Sequence, residues 1–253
     1  MRWRLLASLS ALGALSGLLA ACGGKQASTA APGVTAQTSS ARTPRASRPP
    51  TRARALAFAR AVNLTAADIP EATVSRRKER AYAHGEHREL DRCEGSRGHG
   101  RKPAEFNSAK LTRGQQLETE QIRSYVSVAS SGRAADRELA LLASRTVSAC
   151  VARVLSRQFA RQTVKGAHWG RASVSPISIP APGADAAVGI RIGAALSIEY
   201  NEVSVPLYVD VVAFALGPAE VAMSASSITQ PVPAATEHQL FALLLARAKA
   251  HSL

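Results

Sequence analysis

Residues 188–218 read VGIRIGAALSIEYNEVSVPLYVDVVAFALGP, and the period of this stretch decides the fold class. Val188, Ile190, Ile192, Ala194, Leu196, Ile198 and Tyr200 fall at every second position, with Gly189, Arg191, Gly193, Ser197 and Glu199 between them. Side chains of a strand point alternately to its two faces, so this spelling predicts an antiparallel strand with one buried and one solvated side. Asn201-Glu202 turns the chain into a second strand over 203–216. There Val203, Val205, Leu207, Val209 and Val211 make one face, while Tyr208, Val212 and Phe214 add apolar bulk to the other. Gly217-Pro218 turns it again into a third strand over 219–227.

Upstream, 172–179 offers a further strand through Val174, Ile177 and Ile179, and Pro176 assigns it to an edge. Residues 122–130 offer another, with Ile122, Val126 and Val128 on one side. Between the two the period lengthens. Over 134–162, Leu139, Leu142, Ala143, Val147, Cys150, Val151, Val154, Leu155 and Phe159 recur at three and four residues, which predicts one long amphipathic helix with Cys150 on its buried face. A last helix is expected over 236–250, capped by Thr236 and burying Leu240, Phe241, Leu243, Leu244 and Ala248. Near the start, 55–61 reads as a short helix, and 62–70 as a turn with Asn63 or Thr65 as cap and Pro70 as its close. Residues 76–110 are charged and glycine-bearing, and read as a long surface loop pinned by Cys93. The expected architecture is α+β: an antiparallel sheet of about four to five strands packed with the long helix and the C-terminal helix.

The N-terminus gives an address. Arg2 and Arg4 precede an apolar run ending in Leu19-Ala20-Ala21-Cys22-Gly23-Gly24, a secretory signal over 1–21 that is too short to span a membrane. Its ending resembles the lipobox of bacterial lipoproteins, in which the cysteine, here Cys22, takes a diacylglycerol and becomes the new N-terminus. Acyl chains contribute about 0.8 kcal/mol per buried methylene, so two or three anchor a protein firmly. Residues 22–54 are rich in Ala, Ser, Thr and Pro, carry no acid, and read as a disordered basic tether with an end-to-end distance near 30 Å. The folded part is then a single domain over 55–253.

The formal charge of +14 is unevenly placed. Residues 1–67 hold nine Lys and Arg and no Asp or Glu, which leaves +5 for 68–253. The basicity belongs mainly to signal and tether, where it favours anionic surfaces. With aromatics at 4% there are too few stacking residues for a nucleic-acid platform. If Cys22 is lipidated, Cys93 and Cys150 remain as a pair. In an exported protein a structural disulfide between them competes with two free buried thiols.

Catalytic chemistry has no strong spelling here. His84, His87 and His99 with Glu86, Glu89, Asp91 and Glu94 are the best metal candidates, but Gly85 and the surrounding charge run favour a solvated loop, so neither metal nor cofactor is expected. No nucleophile elbow or phosphate-cradling glycine loop occurs. Glu199 and Asp210, on neighbouring strands, are expected to face solvent rather than to form an acid–base pair. Trp169, on a short segment after His168, is expected in the core or at its rim, with ligand stacking as the alternative. Tyr208, Val212, Phe214 and Trp169 are thus the ligand-binding candidates. The first three either line a groove or lie beneath a second layer.

The turn over 62–70, the cysteine in the following loop, the strand before a Cys-bearing helix, the hairpins including residues 209–217 (VDVVAFALG) and the closing helix together resemble actinobacterial extracytoplasmic sensor-like domains. These occur outside the membrane on some mycobacterial serine/threonine kinases and as free-standing lipoproteins of the Mog1/PsbP-like fold. The resemblance covers about residues 60–250. Those domains usually carry two disulfides, whereas the folded part of this chain can form only one. The resemblance implies a non-enzymatic binding or sensor domain, anchored through Cys22 to the extracytoplasmic face of the cell membrane. Its partners would be an envelope lipid, a wall glycan or an envelope protein, and a cell-envelope enzyme or a structural protein is the alternative.

Overall fold

The computed structural model describes residues 50–74, 89–90, 92–93, 104–115, 118–162, 165–200, 202–251 and 253. In chain order the elements are α1 (Arg52–Val62), β1 (Thr73–Val74), β2 (Ala104–Asn107), β3 (Leu111–Arg113), β4 (Glu120–Val128), α2 (Gly132–Leu142), α3 (Arg145–Ala160), β5 (Ala167–Trp169), β6 (Ser173–Pro176), β7 (Ala186–Ile198), β8 (Val203–Leu216), β9 (Ala219–Ile228) and α4 (Ala234–Ala250). The α+β class holds, with one antiparallel sheet in the order β1-β3-β4-β9-β8-β7-β5, β2 pairing β4 and β6 pairing β7. Among the described residues there are nine strands rather than the expected four or five. The additional ones, β1, β2, β3 and β5, are too short to show a period in the sequence: β2 and β3 pair with β4, β1 pairs with β3, and β5 pairs with β7.

The centre of the sheet is the meander β7-β8-β9, whose registers run from Ala186↔Ala215 to Ile198↔Val203 and from Leu207↔Ile228 to Leu216↔Ala219. Alternation then sorts the side chains onto two faces. Ile190, Ile192 and Ala194 of β7 and Leu207, Val209, Val211 and Ala213 of β8 meet Leu139, Val147, Val151, Val154, Leu155 and Phe159 of α2 and α3. Val212 and Phe214 of β8, Val221 and Met223 of β9 and Ile122 and Val126 of β4 meet Phe58 and Val62 of α1 and Leu240, Phe241 and Leu244 of α4. The two-sided apolar spelling of β8 is therefore a strand between two helical layers. Each fully buried large side chain there contributes roughly 1.5–3 kcal/mol.

Local chemistry fixes the helix ends. The long helix expected over 134–162 is two helices bent by 62°. Ser144 is the N-cap of α3 and accepts a hydrogen bond from the Val147 amide at 3.2 Å, so the apolar period continues through a break in the backbone. α1 begins at Arg52 with Thr51 as cap, three residues ahead of the expected start, and α4 begins at Ala234 after Pro233 rather than at Thr236. Of the two caps weighed for the 62–70 turn, Thr65 serves. Asp68 accepts from the Thr65 amide at 2.7 Å and from Arg247 of α4 at 2.9 Å, fastening the turn to the C-terminal helix. Burial pushes the Asp68 carboxyl up, but its bonds to Arg247 and Thr65 outweigh this and hold it below the usual range. Asn63 is instead a buried hub, donating to the Ala59 and Phe106 carbonyls and accepting from Ser124.

Cys93 and Cys150 are joined by a disulfide with Cα atoms 5.6 Å apart. It ties the segment carrying buried Leu90 to α3. Cys150 is half-buried at the rim of that core rather than on the helix's fully buried face, a correction to the expected position. Pro176 lies in β6, which pairs only with β7, and so sits at the expected edge.

Candidate functional site

The four ligand-binding candidates are not brought together. Val212 and Phe214 are core residues, 1% and 0% exposed, and Phe214 meets Phe241 of α4 edge-on with ring centroids 5.3 Å apart. The groove reading of these two side chains is corrected by the second helical layer that covers them. Tyr208 is half-buried further along the same face. Trp169 belongs to the opposite face, where it stacks on Phe159 with centroids 5.0 Å apart, a rim position. Of the metal candidates only Glu89 is described, and it lies 3.7 Å from Arg157. His84, His87, His99, Glu86, Asp91, Glu94 and Cys22 lie outside the described residues. Among the described residues no group of three or more His, Cys, Asp or Glu is placed to hold a metal.

Glu199 is exposed as expected, 3.8 Å from His168. Asp210 is not. It is 2% exposed, and Arg191 of β7, its register partner, donates from Nε and Nη2 to its two oxygens at 2.7 Å each. An acid can sit there because the neighbouring strand brings a guanidinium that satisfies both carboxylate oxygens. The Asp210 bond also pushes the Arg191 guanidinium up. Over this pair lies Glu237 from the first turn of α4, 3% exposed, with Oε1 lacking a hydrogen-bond partner. Burial first, and then the hydrogen bond and charge of Asp210, push its carboxyl up to about 9. Glu237 is thus held toward its protonated form beside Asp210, buried between α4 and the sheet.

A second buried polar group lies on the other face. Ser127 donates to Glu220 at 2.7 Å across β4 and β9, beside Tyr125. Burial, then the charges of Glu105 and Glu220, drive the Tyr125 hydroxyl far above its ordinary range, so it stays protonated. Glu220 is 0% exposed. These groups bind strands together inside the sheet and offer a substrate nothing to reach.

An accessible concavity lies elsewhere. At one point α3 and the sheet edge are stitched: Ser156 Oγ donates to the Ala152 carbonyl at 2.7 Å and accepts from the Ala172 amide at 2.9 Å. Toward the start of α3 there lies a groove of about 700 Å³. One wall is the helix flank Arg145, Ser148, Ala149 and Ala152. The other is Val174, Pro176, Ile177 and Ile179, and Val188 and Ile190 of β7 complete it. Gly189 shapes this wall. The Ile177 amide donates to the Gly189 carbonyl at 2.9 Å, and a Cβ at 189 would lie 2.6 Å from the Ile177 carbonyl oxygen. Small residues on the helix flank leave the space open, and the glycine at 189 lets the Ile177 segment seat closely on β7. Volumes of roughly 300–1,000 Å³ are usual for small-molecule sites.

No protein-family model and no curated protein matches this sequence. Among solved structures, the extracellular domain of PknH from Mycobacterium tuberculosis is similar, with a TM-score of 0.36 and 11% identity, covering 80% of this chain and 98% of that one. This is a remote resemblance, too loose to carry an argument about ligand or mechanism.

Proposed function

We propose that this chain is a lipoprotein anchored through Cys22 to the outer face of a membrane, and that its α+β domain is a non-enzymatic module that binds an apolar or amphipathic envelope ligand in the groove beside α3. The groove is the observation that carries the reading: apart from Arg145, Ser148 and Ser178, its lining side chains are aliphatic, proline or glycine. The address is read from the Leu19-Ala20-Ala21-Cys22 sequence and the basic tether that follows it. A binding role also suits the acids. The strongly perturbed carboxyl, Glu237, is buried against Asp210 and supports packing rather than proton transfer to a bound molecule.

The test is binding of the neutral apolar fluorophore N-phenyl-1-naphthylamine to the chain from residue 23 onward. Saturable enhancement is expected. Ala149→Trp, at an exposed position on the groove wall, should abolish it without lowering the melting temperature. Ala152→Leu, which fills the half-buried part, should weaken it. Enhancement unaltered by both variants would remove the groove from the account.

A further inference from the structure

The groove has a direction. The Ser156–Ala172 hydrogen bond joins α3 to the edge segment one helical turn beyond Ala152, and from Ala152 toward the start of α3 the helix wall presents Ala149 and Ser148, then Arg145. At 1.5 Å rise per residue, about 10 Å separates Ala152 from Arg145 along the helix. The facing wall runs the other way through the sequence: Val174 lies nearest the Ala172 stitch, and Pro176, Ile177 and Ile179 follow toward the Arg145 end. The inner part is therefore aliphatic on both sides. Arg145, which is exposed, is the one charged residue among the described residues lining the groove.

We infer that the ligand is a single-tailed amphipath with an anionic head. Its tail lies between α3 and the edge strand, pointing toward Ser156, and its carboxylate or phosphate meets Arg145 at the mouth. This deepens the groove reading above and rests on it. The reason is complementarity of both chemistry and order. An apolar ligand without a head gains nothing from Arg145, which stays solvated, whereas an anionic head gains a charge-assisted contact there and a cationic head meets like charge. Guanidinium binds either a carboxylate or a phosphate through two parallel hydrogen bonds. The two sources of such a head, a free fatty acid and a single-chain phospholipid, share this chemistry.

The experiment displaces bound N-phenyl-1-naphthylamine from the chain starting at residue 23. The competitors are dodecanoate, single-chain phosphatidylglycerol, the neutral glycerol ester of dodecanoate and the dodecyltrimethylammonium cation. An exposed charge pair is modest in strength, so at least one of the two anions is expected to displace the probe at about fivefold lower concentration than the neutral ester, with the cation poorer still. The better anion identifies the source. Arg145→Gln should erase the preference while leaving displacement by the neutral ester within about twofold, and Arg145→Lys should retain most of it. Equal potency of anions and neutral ester, or a preference that survives Arg145→Gln, overturns the inference and leaves the groove reading standing. If the fluorophore itself does not bind, both fall.

Discussion

Replacing Glu237 by Gln should flatten the dependence of stability on pH. Burial and the adjacent Asp210 raise the Glu237 carboxyl from 4.5 to about 9, so the folded domain holds a proton that the unfolded chain releases. A raised acid contributes its stability fully below the unfolded value and loses it as pH climbs toward the folded one. Between about pH 5 and about pH 8 the slope approaches 1.4 kcal/mol per pH unit, or about 4 kcal/mol over the interval. Arg191 beside the carboxyl partly offsets the rise, so the loss expected in the whole protein is about 2–4 kcal/mol. The groups facing Glu237 are Asp210, Arg191 and, more distantly, Glu120. Asp68, held low by Arg247 and Thr65, titrates below this window. Glutamine keeps the shape of the protonated acid without its titration. Urea melts at the two pH values should therefore show the wild type losing stability toward pH 8 and Glu237→Gln holding steady, the two coinciding near pH 5. Wild-type stability that is level from pH 5 to 8, or a variant that falls in parallel with it, would refute the buried-acid reasoning.

Other consequences follow from the same geometry. Phe214→Asp and Val212→Asp should abolish cooperative melting, because each places a charge in a core position 0% or 1% exposed; a folded variant with unchanged melting temperature would contradict the two-layer core. Opening the Cys93–Cys150 link releases a loop with a sequence separation of 57, worth about 4 kcal/mol in the chain-entropy model, and Cys93→Ser and Cys150→Ser should cost the same since both positions are only half-buried. Peptide mapping without reductant should recover the two linked, and two alkylatable thiols in native protein would speak against the bridge. Cys22→Ala should move the protein from the membrane fraction to the soluble one. Retention of that variant on membranes after a high-salt wash would mean the anchor lies elsewhere.

The sheet's centre was legible because β7 repeats an apolar residue at every second position over a long run, and β8, apolar on both sides, demands cover on both. The break between α2 and α3 was hidden. Leu139, Leu142, Val147 and Val151 keep helical spacing across Ser144, and a serine inside such a run is as compatible with a helix as with its cap. The burial of Asp210 was equally hidden, since it depends on a register that sets Arg191 opposite and on Glu237 arriving from a helix at the end of the chain. The groove is bounded by two separate features: small residues on one flank of α3, and an edge segment whose Ile177 seats closely against Gly189. Each reads as ordinary by itself, and only the packing of α3 against the sheet edge joins them.

The most direct test of a membrane-tethered binding module is native mass spectrometry of the full-length protein extracted from its own membranes, compared with Ala149→Trp prepared in parallel. The expected spectrum shows a covalent acyl modification on a chain beginning at Cys22, and a further noncovalent amphipath of one mass class that is absent from the variant. A wild-type protein that carries no noncovalent partner, or one whose partner persists in Ala149→Trp, would contradict the assignment of the groove beside α3 as the site.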